Sequence, residues 1–229
     1  MIERELAIGL LLAAAAINGQ PARGTVVKIN PNDGLRYVRI PPGQFRMGCS
    51  RQDAACFDWE QPPREVQISK GFWIGETEVT QAAYERVTGA NPSRYRGAHR
   101  PVDQVGWTDA QHYCEQTGMR LPTEPEWEYA ARAGSTESRY GPAEHVAWYD
   151  ANSGDETHDS GQKAANAFGL YDMLGNVWEW VGDAWGTDGA KLLKGAAFFN
   201  IARDVRVSNR LWAAPDTRHR DMGFRCVGD

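Results

Sequence analysis

Cysteine is scarce in this chain and missing from one stretch of it. Of 229 residues four are cysteine, at Cys49, Cys56, Cys114 and Cys226, and the run from Lys194 to Arg210 holds none. No CxxC pair occurs. The five histidines, His99, His112, His145, His158 and His219, are scattered without the spacing of a zinc or iron site. Between Gly195 and Asp221 there is also no Lys, Gln, Glu or Met, where the chain's own composition would place about four. Internal repeats are absent, and so is low complexity beyond an Ala-rich start. An excess of positive charge is lacking as well. A net charge of −5 speaks against broad nucleic-acid binding.

The apolar run Leu6–Ile17 is too short to span a bilayer. It has the length of an export-signal core, but the segment before it carries Glu3 and Glu5 against Arg4 alone, the wrong flank for a signal. The expectation is an ordered helical segment over 1–30, packed on a single domain over 31–229 or on a partner. A chain of this length buries one sizeable core. Nine Trp beside 24 Gly suggest a loop-rich fold pinned by aromatic anchors.

Tyr37–Ile40 and the residues after Pro41-Pro-Gly read as strand, turn and strand, and Val66–Ser69 alternates as another strand. Thr80 caps a helix that runs through Val87, with Gly89 just past its end. Thr108 with Gln111 reads as a capping box opening a helix that stops at Gly118, and Thr123 with Glu126 as a second, ending at Gly134. Gly134–Ala165 has no period. From Lys191 onward short strands alternate with turns. Cys49 and Cys56 span a short loop and can bridge. Four free thiols are the alternative that a reducing compartment would impose.

Three ordered motifs carry more information. They are Arg-Leu-Pro-Thr-Glu-Pro-Glu-Trp-Glu-Tyr-Ala-Ala-Arg (Arg120 to Arg132), Gly-Leu-Tyr-Asp-Met-Leu-Gly-Asn-Val-Trp-Glu-Trp (Gly169 to Trp180) and Gly-Phe-Arg-Cys (Gly223 to Cys226). Together they resemble the formylglycine-generating enzyme (sulfatase-modifying factor) family from about Tyr37 to Val227. The resemblance implies an α+β, loop-rich, C-type-lectin-like fold and a disulfide between Cys114 and Cys226. It also implies a calcium ion wrapped by the second motif, with side-chain oxygens from Asp172 and Glu179 and carbonyls from Gly175 and Val177, a donor set suited to a hard cation. Asn176 could ligate or cap that turn. A second family site near Asn152 and Ser153 is expected less, because the loop length differs. Without an ion, Asp172 and Glu179 would only accept backbone hydrogen bonds.

The enzymes of that family hold copper through two cysteines in the C-terminal segment, and Cu(I) requires soft thiolate ligands. That segment has no sulfur here, so no copper and no cysteine oxidase are expected. A related branch uses iron held by histidines of an additional helical domain, which the scattered histidines do not match. A Ser208–His219–Asp216 hydrolase has no supporting spacing.

A second group with this fold, the variable proteins of diversity-generating retroelements, diversifies Asn codons that cannot become Trp, Met, Lys, Gln or Glu. The depleted segment Gly195–Asp221, inside an expected variable region of about 195–226, is similar. Fixed positions would include Gly195, Arg203, Val205, Arg206, Ser208, Asn209, Arg210, Pro215, Asp216, Arg218, Arg220 and, as scaffold, Trp212. Phe199, Asn200, Ile201, Asp204, Leu211, Ala213, Ala214, Thr217, His219 and Asp221 would vary and face outward, the alternate set packing inward. The expectation is a non-catalytic, ligand-binding protein with a hypervariable surface for a protein ligand or surface receptor, its compartment left open among a cell surface, secretion, a virion and the cytoplasm. A formylglycine-generating-type oxidase and a catalytically dead structural or adaptor homologue are the alternatives.

Overall fold

The structure is a computed structural model and describes residues 25–229. In chain order it runs β1 (Val27–Ile29), β2 (Arg36–Ile40), β3 (Gly43–Met47), a 3-10 turn (Asp58–Glu60), β4 (Arg64–Ile68), β5 (Phe72–Gly75), α1 (Gln81–Thr88), α2 (Trp107–Gln116), α3 (Glu124–Arg132), α4 (Ala143–Val146), β6 (Ala147–Trp148), β7 (Leu174–Gly175), β8 (Trp178–Trp185), β9 (Ala190–Lys194), β10 (Arg210–Ala213), β11 (Met222–Phe224) and β12 (Val227–Gly228). Most of the expected N-terminal helical segment, Leu6–Ile17 included, lies outside the described residues. Its last part is corrected: Val27–Ile29 is a strand, paired antiparallel with Arg36–Val38. Among the described residues no helix is long and apolar enough to cross a membrane.

Two four-stranded sheets organise the molecule, ordered β1-β2-β5-β12 and β10-β9-β8-β11. Along β2, Tyr37, Val38 and Ile40 are buried while Arg36 and Arg39 face solvent. In the second sheet β11 runs parallel to β8, setting Met222 beside Trp178 and Phe224 beside Trp180. The core between sheets and helices gathers Tyr37, Phe72, Tyr113, Trp127, Trp180 and Phe224. Buried indoles keep their polar edge satisfied: Trp180 Nε1 donates to the Val105 carbonyl at 2.9 Å and Trp127 Nε1 to Glu179 at 2.8 Å.

Helix starts follow local chemistry. Thr80 accepts from the Ala83 N–H, and Gly89, at φ 77, closes α1 on the Glu85 carbonyl. Thr123 and Glu126 form the expected box on α3. The box expected from Thr108 and Gln111 is corrected: α2 starts two residues earlier, capped at Gly106, whose N–H donates to Asp109 Oδ2 at 2.9 Å. Gln111 instead reaches one turn forward to Glu115. A shorter acid in the first turn reaches the cap, and a glycine cap leaves room for the Pro215 carbonyl, which a Cβ would meet at 2.9 Å. Cys114 is bonded to Cys226, tying α2 to the residue before β12, and Cys49 to Cys56 across its short loop.

Candidate recognition surface and cation turn

The C-terminal segment leaves β9 at Lys194 and turns sharply at Gly195, φ 98, where a Cβ would press on the Trp127 ring at 3.2 Å. The stretch Ala196–Asn209 then runs without regular strand before β10. It is held by buried ion pairs. Arg206 sends its two terminal nitrogens to Glu60 at 2.6 Å each, and Ser208 Oγ donates to the same carboxylate at 2.5 Å. Lys194 lies 3.2 Å from Glu128, which also pairs with Arg132 at 2.9 Å. Arg210 pairs with Glu124. Burial raises Glu60 and Glu124, but their cationic partners outweigh it and hold both below the usual carboxylate range. These charges are therefore compensated, as buried charges must be.

Of the ten expected variable positions, Ile201, Ala214 and His219 are exposed, six are half-buried and Asp221 is buried. Ile201 is 56% exposed. Phe199 is half-buried, with Arg220 above its ring at 5.5 Å and His219 edge-on. Ala214 and His219 are exposed, and Thr217 is partly so. Asn200 and Asp204 also serve the loop: Asn200 Oδ1 accepts from the Ala197 N–H, and the Asp204 carbonyl accepts from Asn209.

Two expectations are corrected. Asp221 is buried, not displayed: its carboxylate receives His219 Nδ1 and its carbonyl accepts the Trp178 N–H. The outward–inward alternation is reversed on β10, where Leu211 and Ala213 pack toward the core and Trp212 faces out at 38% exposure. The cause is aromatic stacking. Trp212 lies on Trp185 with centroids 4.7 Å apart and 14° between planes, and meets Trp59 edge-on at 5.5 Å. Phe57 stacks on Trp59 at 4.5 Å and carries Arg203 above its ring at 4.3 Å. The disulfide-closed loop thus joins the C-terminal face, a partnership that sequence reasoning missed. The high Trp content was the available signal, without positions. The Ser208–His219–Asp216 combination is not assembled, since Ser208 is buried on Glu60 and His219 turns to Asp221.

In the second motif Asp172 is buried at φ 52; its Oδ2 accepts the Gly161 N–H at 2.6 Å while Oδ1 has no partner. Burial above all raises Asp172 to about 6. Glu179 is differently placed. Arg225 Nε and Nη2 reach its two oxygens at 2.7 and 2.6 Å, and Trp127 adds a third donor. Asp172 thus keeps one oxygen unpaired, while Glu179 is already committed to a guanidinium. Asn176 caps rather than points outward: its amide reaches Glu78 at 3.0 Å, and its Oδ1 accepts the His158 N–H. At the lesser expected site, Asn152 binds the Ala147 carbonyl and Ser153 the Phe198 carbonyl. Among the described residues no three of His, Cys, Asp and Glu converge as a metal cluster.

Short helices packed beside small mixed sheets, with long pinned loops presenting the C-terminal face, define a C-type-lectin-like protein. The sequence matches the sulfatase-modifying factor enzyme 1-like domain over residues 24–229, and the chain belongs to that family. The formylglycine-generating enzyme of Streptomyces coelicolor is 28% identical, with 95% of this chain and 94% of that protein covered. The inactive C-alpha-formylglycine-generating enzyme 2 of Mus musculus is 34% identical over 74% of this chain and 57% of that protein. Among solved structures, Treponema denticola variable protein 1 superposes with a TM-score of 0.78 at 24% identity, covering 90% of this chain and 99% of that one.

Proposed function

We propose that this chain is a non-catalytic binding member of its family, whose segment 195–226 presents a variable surface to a protein ligand or surface receptor. One observation carries the reading. The residues that anchor the segment (Lys194, Arg206, Ser208 and Asn209) are buried and bonded, while the codon-compatible positions, Asp221 excepted, are exposed or half-buried. Such a face can change its side chains without losing its frame. The Cys-free stretch Lys194–Arg210 speaks against the copper oxidase, because no thiolate is available where the soft metal would bind. The likeness to a variable protein supports the same direction at the level of fold.

The test is genomic. A template repeat and a reverse-transcriptase gene beside this one, with NNY codons at Phe199, Ile201, Leu211 and His219, are expected. Finding neither, with those positions invariant in sibling genes, would leave a structural or adaptor homologue. Oxygen consumption with copper and cysteine-containing peptides is expected to be nil; measurable turnover would restore the oxidase.

A further inference from the structure

Six arginines lie in the C-terminal segment, and five of them pair with a carboxylate: Arg206 with Glu60, Arg210 with Glu124, Arg218 with Asp109, Arg220 with Asp155 and Arg225 with Glu179. Arg203 is the exception. It is exposed, and the acid on the facing loop, Asp53, is taken by Arg206 at 3.1 Å. The Arg203 guanidinium is nevertheless held in place. It lies 4.3 Å from the Phe57 ring centroid, and its Nε donates to the Ala55 carbonyl at 3.3 Å. Its two terminal nitrogens, the ends of the fork, have no acceptor among the described residues.

Apolar surface adjoins this charge. Four large apolar side chains are exposed among the described residues, and two of them are here. Ile201, 56% exposed, stands two residues before Arg203, and Trp212, 38% exposed, is joined to it through Trp59 and Phe57. An arginine stacked on an aromatic ring, beside an exposed tryptophan, is the composition that anchors protein interfaces. The number of free cations selects the anion. A phosphate group carries about two negative charges and calls for several donors, whereas here one guanidinium is available and its neighbours are committed to the domain's own acids. A single carboxylate fits that fork with two parallel bonds.

We propose that Arg203 is the constant anchor of the recognition face, and that it receives an aspartate or glutamate side chain of the protein ligand, with an apolar residue next to that acid resting on Ile201. The inference rests on the binding role proposed above and adds a chemical class to it. The side chains around the anchor change from copy to copy, while the partner's acid is required throughout. Because Phe57 and Ala55 already hold the guanidinium, little side-chain freedom is lost when the acid arrives.

A random-peptide phage library panned on the purified chain supplies the probes. Binders that are lost on an Ile201→Ser or Ala202→Trp chain dock on this face. They are expected to share one Asp or Glu next to an apolar residue. In synthetic peptides, replacing that acid by its amide is expected to weaken binding to the unaltered chain about tenfold or more, and to change little on an Arg203→Ala chain. Arg203→Lys, which keeps the charge and loses the fork, is expected to restore only part of the affinity. Face-directed binders without a shared acid, or an amide peptide that binds the unaltered chain as well as the acid does, would overturn the carboxylate anchor and leave the binding face standing; this arm needs no variant at Arg203. Equal losses on the unaltered and Arg203→Ala chains would assign the acid to another group and refute the anchor too. No binders, or only binders indifferent to both Ile201→Ser and Ala202→Trp, would sink the binding face together with its anchor.

Discussion

Arg206 and Glu60 close a fork-to-fork ion pair inside the fold, two bonds of 2.6 Å between residues 1% exposed. Glu60 sits in the 3-10 turn behind the Cys49–Cys56 loop, and Arg206 lies in the middle of the C-terminal segment. This pair therefore fixes the display segment to the rest of the domain.

Removing Glu60 leaves the buried Arg206 with Asp53, at 3.1 Å, as its remaining carboxylate partner. Glu60→Ala is expected to cost about 3–5 kcal/mol in urea denaturation, and Glu60→Leu with Arg206→Met to recover most of it. The pH dependence has a definite sign. Glu60 titrates below its ordinary value in the folded state, so its contribution is present at neutral pH and is lost as pH falls through that depressed value. The gap between the parent and the Glu60→Gln chain should therefore narrow on acidification, read from urea midpoints across pH.

The two disulfides should differ in weight. Cys114–Cys226 closes a separation of 112 residues and Cys49–Cys56 one of 7. Replacing Cys114 and Cys226 by serine is expected to cost about 2–5 kcal/mol, and the short-loop pair less, since the cost grows with the loop released. Thermal unfolding of the two double variants ranks them.

Surface positions should tolerate change where core positions do not. Ile201→Asp and Thr217→Ala are expected within about 0.5 kcal/mol of the parent chain. Leu193, fully buried in β9, should cost about 2–5 kcal/mol when cut to alanine. Denaturant midpoints compare the set, and a large loss at Ile201 and Thr217 would mark them as packing residues.

Trp212 is expected to bear on both order and spectrum. Its face-on contact with Trp185 should give a coupled near-ultraviolet circular dichroism band that Trp212→Ala removes, at a cost of about 0.5–1.5 kcal/mol beyond the lost area.

Legibility in the sequence followed the range of the interactions. Thr80, Thr123, Glu126 and Gly89 marked their helix ends because caps act within one turn. The start of α2 shifted because Asp109 and Thr108 both offer plausible local chemistry, and the packing of Gly106 on Pro215, remote in sequence, favours the former. Residue types alone did not give the facing of the C-terminal segment: Ile201, Ala214 and His219 are exposed, but so are Arg203, Trp212, Asp216 and Arg218 of the expected inward set. The burial of Asp221 was not legible, because the imidazole that orders it and the strand that buries it meet only in three dimensions. Nor was the facing of Trp212, which is set by Trp185 and Trp59 from two other elements. Glu78 carried no motif, and its burial and the bond it accepts from Asn176 are seen only in three dimensions.

The display segment is bound into both sheets: β9 stands before it, β10 and β11 lie within it, and β12 follows it. β11 must find β8, and β12 must find β5, more than a hundred residues upstream. Such late, distant pairing makes for slow folding. It also means that a grafted loop between Lys194 and Met222 would be gripped at both ends, a useful geometry for a combinatorial library: a clone whose insert disrupted either clamp would fail to fold and drop out before selection began.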